Sequence, residues 1–291
     1  MGCTHPDSDQ RQIPDFPVLP ENNMGTLARS ITYVYDKTPS DASSPMKKDS
    51  SIMLFSYDAS GNIDSMRFSH NDGFIIYDFS FERNASNKLI AMHCETWADT
   101  SLGKIDCILE YNPSGNVSQM KYIIQNHPTN DIDTFLVRST GSRIDTVIDR
   151  TLIILNQLKK YAYTYNGSGD ITQVDVIGTS GSSYVYEDAY KYTISGSPAA
   201  LIMGNEAIYW YFFAKFCNVS GTTKFMIPPI LFQSPRQSSK LVYQSLIDPV
   251  STSNYQTEYY STGKPKKMTA NVTTPTGSLI AREAYYYTYA Q

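Results

Sequence analysis

The chain has 291 residues, with 24 Lys and Arg against 28 Asp and Glu, and 41% of its residues are hydrophobic. That length buries a sizeable core in one large domain or two smaller ones, and interspersed charges with a net of −4 supply no basic field for nucleic acid. Tyrosine is over-used, at 23 residues, which agrees with a strand-rich fold before it says anything about ligands.

Residues 1–26 place Pro6, Pro14, Pro17 and Pro20 among few apolar side chains, the composition of an extended tether that cannot build a core. Cys3 follows a glycine and opens this tether, as the acylated first residue of a bacterial lipoprotein does once its signal peptide is gone. That reading makes Met1 and Gly2 extraneous to the mature chain, because no apolar signal segment precedes Cys3; the alternative is an ordinary exposed cysteine. A single β domain is expected over 27–291. Its first strand spans Leu27 to Tyr35, and a polar loop runs from Lys37 to Ser50.

From Ser51 to about Ile194 a hairpin pattern repeats. It is clearest in Leu109 to Tyr122, LEYNPSGNVSQMKY, where Tyr111 and Asn112 lead into Gly115, and Val117, Met120 and Tyr122 follow. Tyr57, Asp58, Gly61, Ile63, Met66 and Phe68 repeat it, as do Tyr165, Asn166, Gly169, Ile171, Val174 and Val176. Asp or Asn suits the turn because its short side chain accepts from backbone two residues on, and glycine closes it where φ is positive. Weaker copies centre on Asn87, Ser142 and Gly263. The markers Gly61, Asn87, Gly115, Gly141 and Gly169 are spaced by 26, 28, 26 and 28 residues, a period of two strands with a turn at each end. The positions two and five after the glycine differ in parity, so they take opposite faces unless a bulge intervenes.

The pattern breaks over about 197–235. Pro198 suits a first helical turn with Ala199 to Met203 behind it, Ile208 to Phe216 is a dense apolar run whose type periodicity cannot settle, and Pro228, Pro229 and Pro235 exclude a central strand. Strands resume near Lys240 and end on Tyr285, Tyr287 and Tyr289, which alternate. The count is about sixteen strands. The expected fold is therefore all-β, a large antiparallel up-and-down meander forming a curved sheet or a flattened barrel, with a short partly helical insertion. A round barrel of this strand number is too wide for side chains to fill, and the break is the obvious plug.

The YN-x-x-GN and YD-x-x-GN hairpins, with Cys3 and its proline-rich tether, resemble secreted lipoproteins of Gram-negative gut bacteria, and within them a family of unknown function with a porin-like fold. The resemblance covers Tyr57 to roughly Met268 and includes the break ending in Ile227 to Phe232. The YD repeats of large wrapping toxin shells share the same hairpin. The resemblance implies a barrel-like sheet and a cell-envelope location, on the periplasmic or the surface side. It carries no catalytic residues to transfer.

Arg67, Lys121, Asp145, Asp175, Lys266 and Lys267 fall inside expected strands, which argues against a lipid-facing wall, where each outward Lys or Arg near the midplane costs about 2 to 4 kcal/mol. A lipid anchor is expected rather than a spanning segment. Cys94 and Cys107 flank one turn symmetrically and should be cross-strand neighbours, as a disulfide or as two buried thiols; Cys217 reads as core. His93 and Cys94 point to opposite faces, CxxC and HExxH are missing, and solvated histidines are the reading for His5, His70 and His127, so no metal or cofactor is expected.

No GxSxG elbow occurs. Glu187 with Asp188, or Asp131 with Asp133, are the carboxylate pairs a glycoside hydrolase would need, but convergence from separate strands is not visible in spacing. The aromatic clusters Tyr184, Tyr186, Tyr190 and Tyr192, and Tyr209, Trp210 and Tyr211, would stack on sugar rings or else fill a wide barrel; large buried areas favour packing. The expected function is a non-enzymatic, monomeric envelope module binding a glycan or another envelope component. A structural interaction module is the alternative, and a carboxylate-pair hydrolase the third reading.

Overall fold

The computed structural model describes residues 28–37, 47–70, 75–96, 104–125, 133–141, 143–150, 158–165, 167, 171–180, 183–192, 206–217, 240–245, 252–274 and 276–289. The tether with Cys3, Ala199 to Met203 and the three prolines of the break lie outside these residues.

Among the described residues, sixteen strands carry the chain. They are β1 (Ala28–Lys37), β2 (Lys47–Tyr57), β3 (Ile63–His70), β4 (Ile75–Arg83), β5 (Leu89–Thr96), β6 (Lys104–Tyr111), β7 (Val117–Ile124) and β8 (Asp133–Thr140). The second half is β9 (Arg143–Asp149), β10 (Lys159–Tyr165), β11 (Ile171–Ser180), β12 (Ser183–Tyr192), β13 (Lys240–Ser245), β14 (Thr252–Tyr259), β15 (Pro265–Thr273) and β16 (Leu279–Tyr289). Each pairs antiparallel with the next, and β1 pairs with β16, so the meander closes into a barrel with no free edge. The polar residues Lys47 to Ser50 belong to β2 rather than to a loop, because β1 supplies them with a partner strand from Lys37 to Val34.

The repeat explains one rim. Gly61, Gly115, Gly141 and Gly263 have φ of 82°, 80°, 61° and 78°, and Asn87 has 63°, so the expected positive-φ position is present in each of these turns. Asp58 Oδ1 accepts from the amides of Ser60 and Asn62 at 2.8 and 2.9 Å; Asn84 Oδ1 accepts from Ser86 and Lys88, both at 3.0 Å. A register shift accompanies each hairpin, at Ser56/Tyr57, Glu82/Arg83 and Glu110/Tyr111 among others. That bulge settles the parity question. Ile63 and Met66, Leu89 and Met92, and Val117 and Met120 are all buried on the same side.

Neighbouring hairpins are also laced together. Tyr111 donates its hydroxyl to the Leu89 carbonyl at 2.5 Å and Tyr165 to that of Ile144 at 2.6 Å. Asn62 Nδ2 reaches Asn87 Oδ1 at 3.0 Å, Lys88 Nζ the Gly115 carbonyl at 3.2 Å, and Asn116 Nδ2 the Gly141 carbonyl at 2.7 Å. The repeated tyrosine is thus a fastening between successive repeats.

The apolar run is a helix, α1 (Ala207–Phe216), and it lies in the lumen. A helix apolar on every side must be buried on every side. Trp210 and Phe213 meet Phe79 of β4 edge-on at 5.8 and 5.9 Å between ring centroids, and Phe216 stacks on Tyr122 of β7 at 4.4 Å. Phe212 meets Phe135 of β8 at 5.4 Å and Tyr161 of β10 at 5.1 Å. The wide barrel is therefore filled by its own chain, as the strand count requires. Arg83 at the end of β4 holds the helix start, with Nη1 to Glu206 Oε1 at 2.9 Å and Nη2 to Oε2.

Candidate functional site

The two faces of the sheet differ sharply. On β4, Tyr77, Phe79 and Phe81 are buried in the lumen while Asp78, Ser80 and Glu82 face outward. The same alternation holds on β5 to β7, and among the described residues Leu54 is the one large hydrophobic side chain left exposed, at 41%. This is the reverse of a lipid-facing barrel, whose outward band is apolar. Among the described residues no helix is long and apolar enough to cross a membrane either.

A hollow of about 670 Å³ opens on the outer wall across β2 to β6, with Gln125 just after β7 at its edge. Cross-strand register builds it in two rows. In the first, Leu54, Arg67, Asp78, Glu95 and Lys104 stand successively opposite one another. In the second, Ser56, Ser65, Ser80, His93 and Asp106 do the same. Three short serines in a line leave the space that longer side chains around them enclose.

The charged groups are paired. Arg67 holds Asp78 bidentately, Nε to Oδ1 at 2.8 Å and Nη2 to Oδ2 at 3.1 Å, and Lys104 Nζ is 3.5 Å from Glu95 Oε1. The two hydrogen bonds and the charge of Asp78 hold the Arg67 guanidinium above its usual range. His93 Nδ1 lies 2.7 Å from Asp106 Oδ1, Gln125 Nε2 donates to Asp106 Oδ2 at 2.7 Å, and His93 Nε2 faces Glu82 Oε2 at 3.7 Å. Asp106 thereby orients the imidazole, whose Nε2 turns toward Glu82.

Ser80, His93 and Asp106 come in register on three adjacent strands, an order that invites comparison with acyl-transfer chemistry. Such chemistry also needs backbone N–H groups aimed at an oxyanion, and here the N–H groups of central strands are engaged in the ladder. The arrangement can instead offer a ligand alternating donors and acceptors, with each carboxylate already facing a basic side chain. Among the described residues, no three His, Cys, Asp or Glu side chains are placed to hold a metal ion.

The residues singled out from sequence fall elsewhere. Trp210 is completely buried against Phe79, and Tyr209 is mostly buried with its phenol pushed up by burial, so neither offers a stacking platform. Sequence typed this run only as aromatic; the lumen position makes it packing. Tyr184, Tyr186, Tyr190 and Tyr192 do lie on β12, but a register shift between Val176 and Ile177 interrupts their alternation, Tyr186 standing opposite Ile177 and Tyr190 opposite Val174. Their side chains, and those of Tyr211, Asp133, Glu187 and Asp188, lie outside the described residues, as does Asp131 altogether.

Cys94 and Cys107 are free buried thiols, and they are not opposed: Cys94 faces Ile105 and Cys107 faces Met92. The strand pairing is centred one residue before the midpoint that the sequence spacing assumed. The groove residues were missed because each strand shows only one or two polar outward positions. The signal lies in the register, which joins Arg67 to Asp78 and His93 to Asp106.

Comparison with solved structures bears on the architecture. A porin-like protein from Bacteroides uniformis is similar over 91% of this chain and 97% of its own, at 10% identity and a TM-score of 0.51, a likeness of fold alone. A porin-like protein from Bacteroides vulgatus matches over 91% of this chain at 11% identity and a TM-score of 0.35. The toxin complex TcdB2-TccC3 matches at 11% identity and a TM-score of 0.32 over 14% of its own chain. No family model matches the chain, and no curated protein does.

Proposed function

We propose that this porin-like fold is a water-facing binding module of the bacterial envelope, taking a neutral, polyhydroxylated ligand such as a glycan in the hollow on its outer wall. One observation carries the reading. Leu54, the one large apolar side chain exposed among the described residues, borders a groove of mutually paired polar groups, which suits a sugar's mixture of hydroxyls and an apolar face. The porin-like fold of a Bacteroides protein supports the envelope setting, and Cys3 with its tether supports attachment by a lipid. The module is non-enzymatic and monomeric. Its groove carboxylates Asp78, Glu95 and Asp106 are already engaged by Arg67, Lys104 and His93.

A purely structural interaction module needs a partner-sized apolar patch, and among the described residues Leu54 alone does not make one. The test is a thermal-shift screen of detergent-free protein against neutral glycans, peptidoglycan fragments and bile-type amphiphiles. A ligand at about 100 times its Kd adds roughly 2.7 kcal/mol, a shift of several degrees. Saturable shifts with neutral glycans that vanish in Ser80→Trp, which fills the hollow, support the reading. Shifts unaltered by that variant, or none with any glycan, overturn it.

A further inference from the structure

Three thiols converge in one part of the lumen: Cys94 on β5, Cys107 on β6 and Cys217 immediately after α1, all free and all buried. The pair that sequence symmetry suggests is the poorer one. Cys94 and Cys107 are diagonal neighbours on one face, and diagonal positions stand about 7 to 8 Å apart, beyond comfortable reach of a disulfide.

The helix brings the better partner. Phe79 stands opposite Cys94 on the adjoining strand, and the rings of Trp210 and Phe213 pack on Phe79. The Cys217 amide donates to the Phe213 carbonyl at 2.9 Å, placing Cys217 one turn after Phe213 on the same side of the helix. Tyr122, opposite Cys107, closes the same corner by stacking on Phe213 and Phe216. Cys217 is thereby set against the wall patch that carries Cys94, where burial first and the Cys94 thiol second hold its proton on.

We propose that Cys94 and Cys217 form a disulfide that staples the lumen helix to β5 when the protein folds under oxidising conditions, while Cys107 stays a thiol beside Tyr122. The oxidant is a second disulfide, either a small-molecule one or that of an envelope thiol oxidase. The Cys94 or Cys217 thiolate attacks it, forming a mixed disulfide and releasing one thiol. The other cysteine then attacks the protein sulfur, forming the Cys94–Cys217 bond and releasing the second thiol. Two protein thiols are oxidised, the carrier disulfide is reduced, and the two protons pass to the two leaving thiolates.

Exchange needs a thiolate and access, and burial denies both once the helix is seated: it pushes the Cys217 thiol up and leaves it no exposed surface. The mixed disulfide therefore forms before the helix docks, and docking brings the second thiol to it. The completed bond joins residues 123 positions apart, so it constrains the unfolded chain strongly and raises the melting midpoint by roughly 5 to 10 °C.

The test uses the full chain with Cys3→Ser, which leaves the three barrel thiols. The protein is refolded from denaturant in mixed oxidised and reduced glutathione, alkylated under denaturing conditions and mapped by mass spectrometry without reduction. The expected product links the Cys94 and Cys217 peptides and carries the alkyl group on Cys107, and Cys107→Ser retains that link. The same glutathione added to reduced, already folded protein yields little of it. A Cys94–Cys107 link, or three alkylated thiols in refolded protein whose circular dichroism is native, overturns the proposal. This outcome is independent of the groove, since no ligand enters the measurement.

Discussion

The outer wall and the lumen of this barrel are built from the same strands and obey opposite rules. On β4 the outward Asp78, Ser80 and Glu82 make a hydrated surface tied by exposed ion pairs, and the inward Tyr77, Phe79 and Phe81 pack on an aromatic helix. Alternation by itself is neutral between a channel and a filled barrel. The phase of the alternation relative to closure selects water outside and hydrocarbon inside, and the helix makes that phase sustainable by occupying a lumen that wall side chains could not fill.

If the lumen is the stabilising region and the outer wall the recognising one, perturbations should separate along that line. The largest effect is expected from alkali. Burial raises the phenols of Tyr122 and Tyr287 well above 10 and that of Tyr165 to about 12. Raised tyrosine values favour the protonated folded state, so their stabilisation is intact below pH 10 and is lost as pH rises toward 12 and beyond. Phenolate absorbance and circular dichroism should change together in one cooperative step. Separate transitions, with the phenols of Tyr122 and Tyr287 ionising in a folded barrel, would break the assignment of those two rings to a dry lumen.

Trp210→Ala is next. Emptying the volume against Phe79 should cost about 3 to 5 kcal/mol, read as a lowered denaturant midpoint; a cost under about 1 kcal/mol would mean that the helix is not packed there. Arg83→Ala leaves Glu206 without its partner at the helix entrance. Because the Glu206 side chain is still 27% exposed, the expected loss is about 2 kcal/mol rather than the 3 to 5 of a fully buried pair. Arg83→Leu combined with Glu206→Leu should recover part of it.

At the rim, Gly115→Ala should cost about 1 to 2 kcal/mol for a left-handed φ of 80° and a Cβ 2.8 Å from Lys88 Nζ. Gly141→Ala, with nothing within 4 Å, bears the backbone cost alone and should be milder. The smallest stability effect belongs to the groove. Arg67→Ala breaks an exposed pair and should change stability by at most about 0.5 kcal/mol while weakening glycan binding. A large destabilisation with unchanged binding would move Arg67 from the recognising region to the stabilising one.

The hairpins were readable before any coordinates because their chemistry is local. Asp58, Asn84 and Asn112 accept from backbone within their own turns, and Gly61 and Gly115 adopt positive φ that few other residues tolerate. The candidate site was not readable, because its members come from five strands and from Gln125 beyond a sixth. Arg67 and Asp78 are eleven residues apart, His93 and Asp106 thirteen, and only register brings each pair together. Trp210 shows the converse: its composition permits stacking on a ligand or packing in a core, and its neighbours decide.

Short-range hydrogen bonding and the two-residue period of strands are written in adjacent residues, so the amino-acid sequence alone determined the repeat, the strand count, the plug's place in the chain and the burial of Cys217. Closure of β1 on β16, the outward phase of the charges, the hollow over Ser56, Ser65 and Ser80, and the pairing of Cys94 with Ile105 rather than with Cys107 each depend on which distant segments meet. Tertiary structure decided those, because contact between distant segments follows from how the whole sheet closes and what fills it.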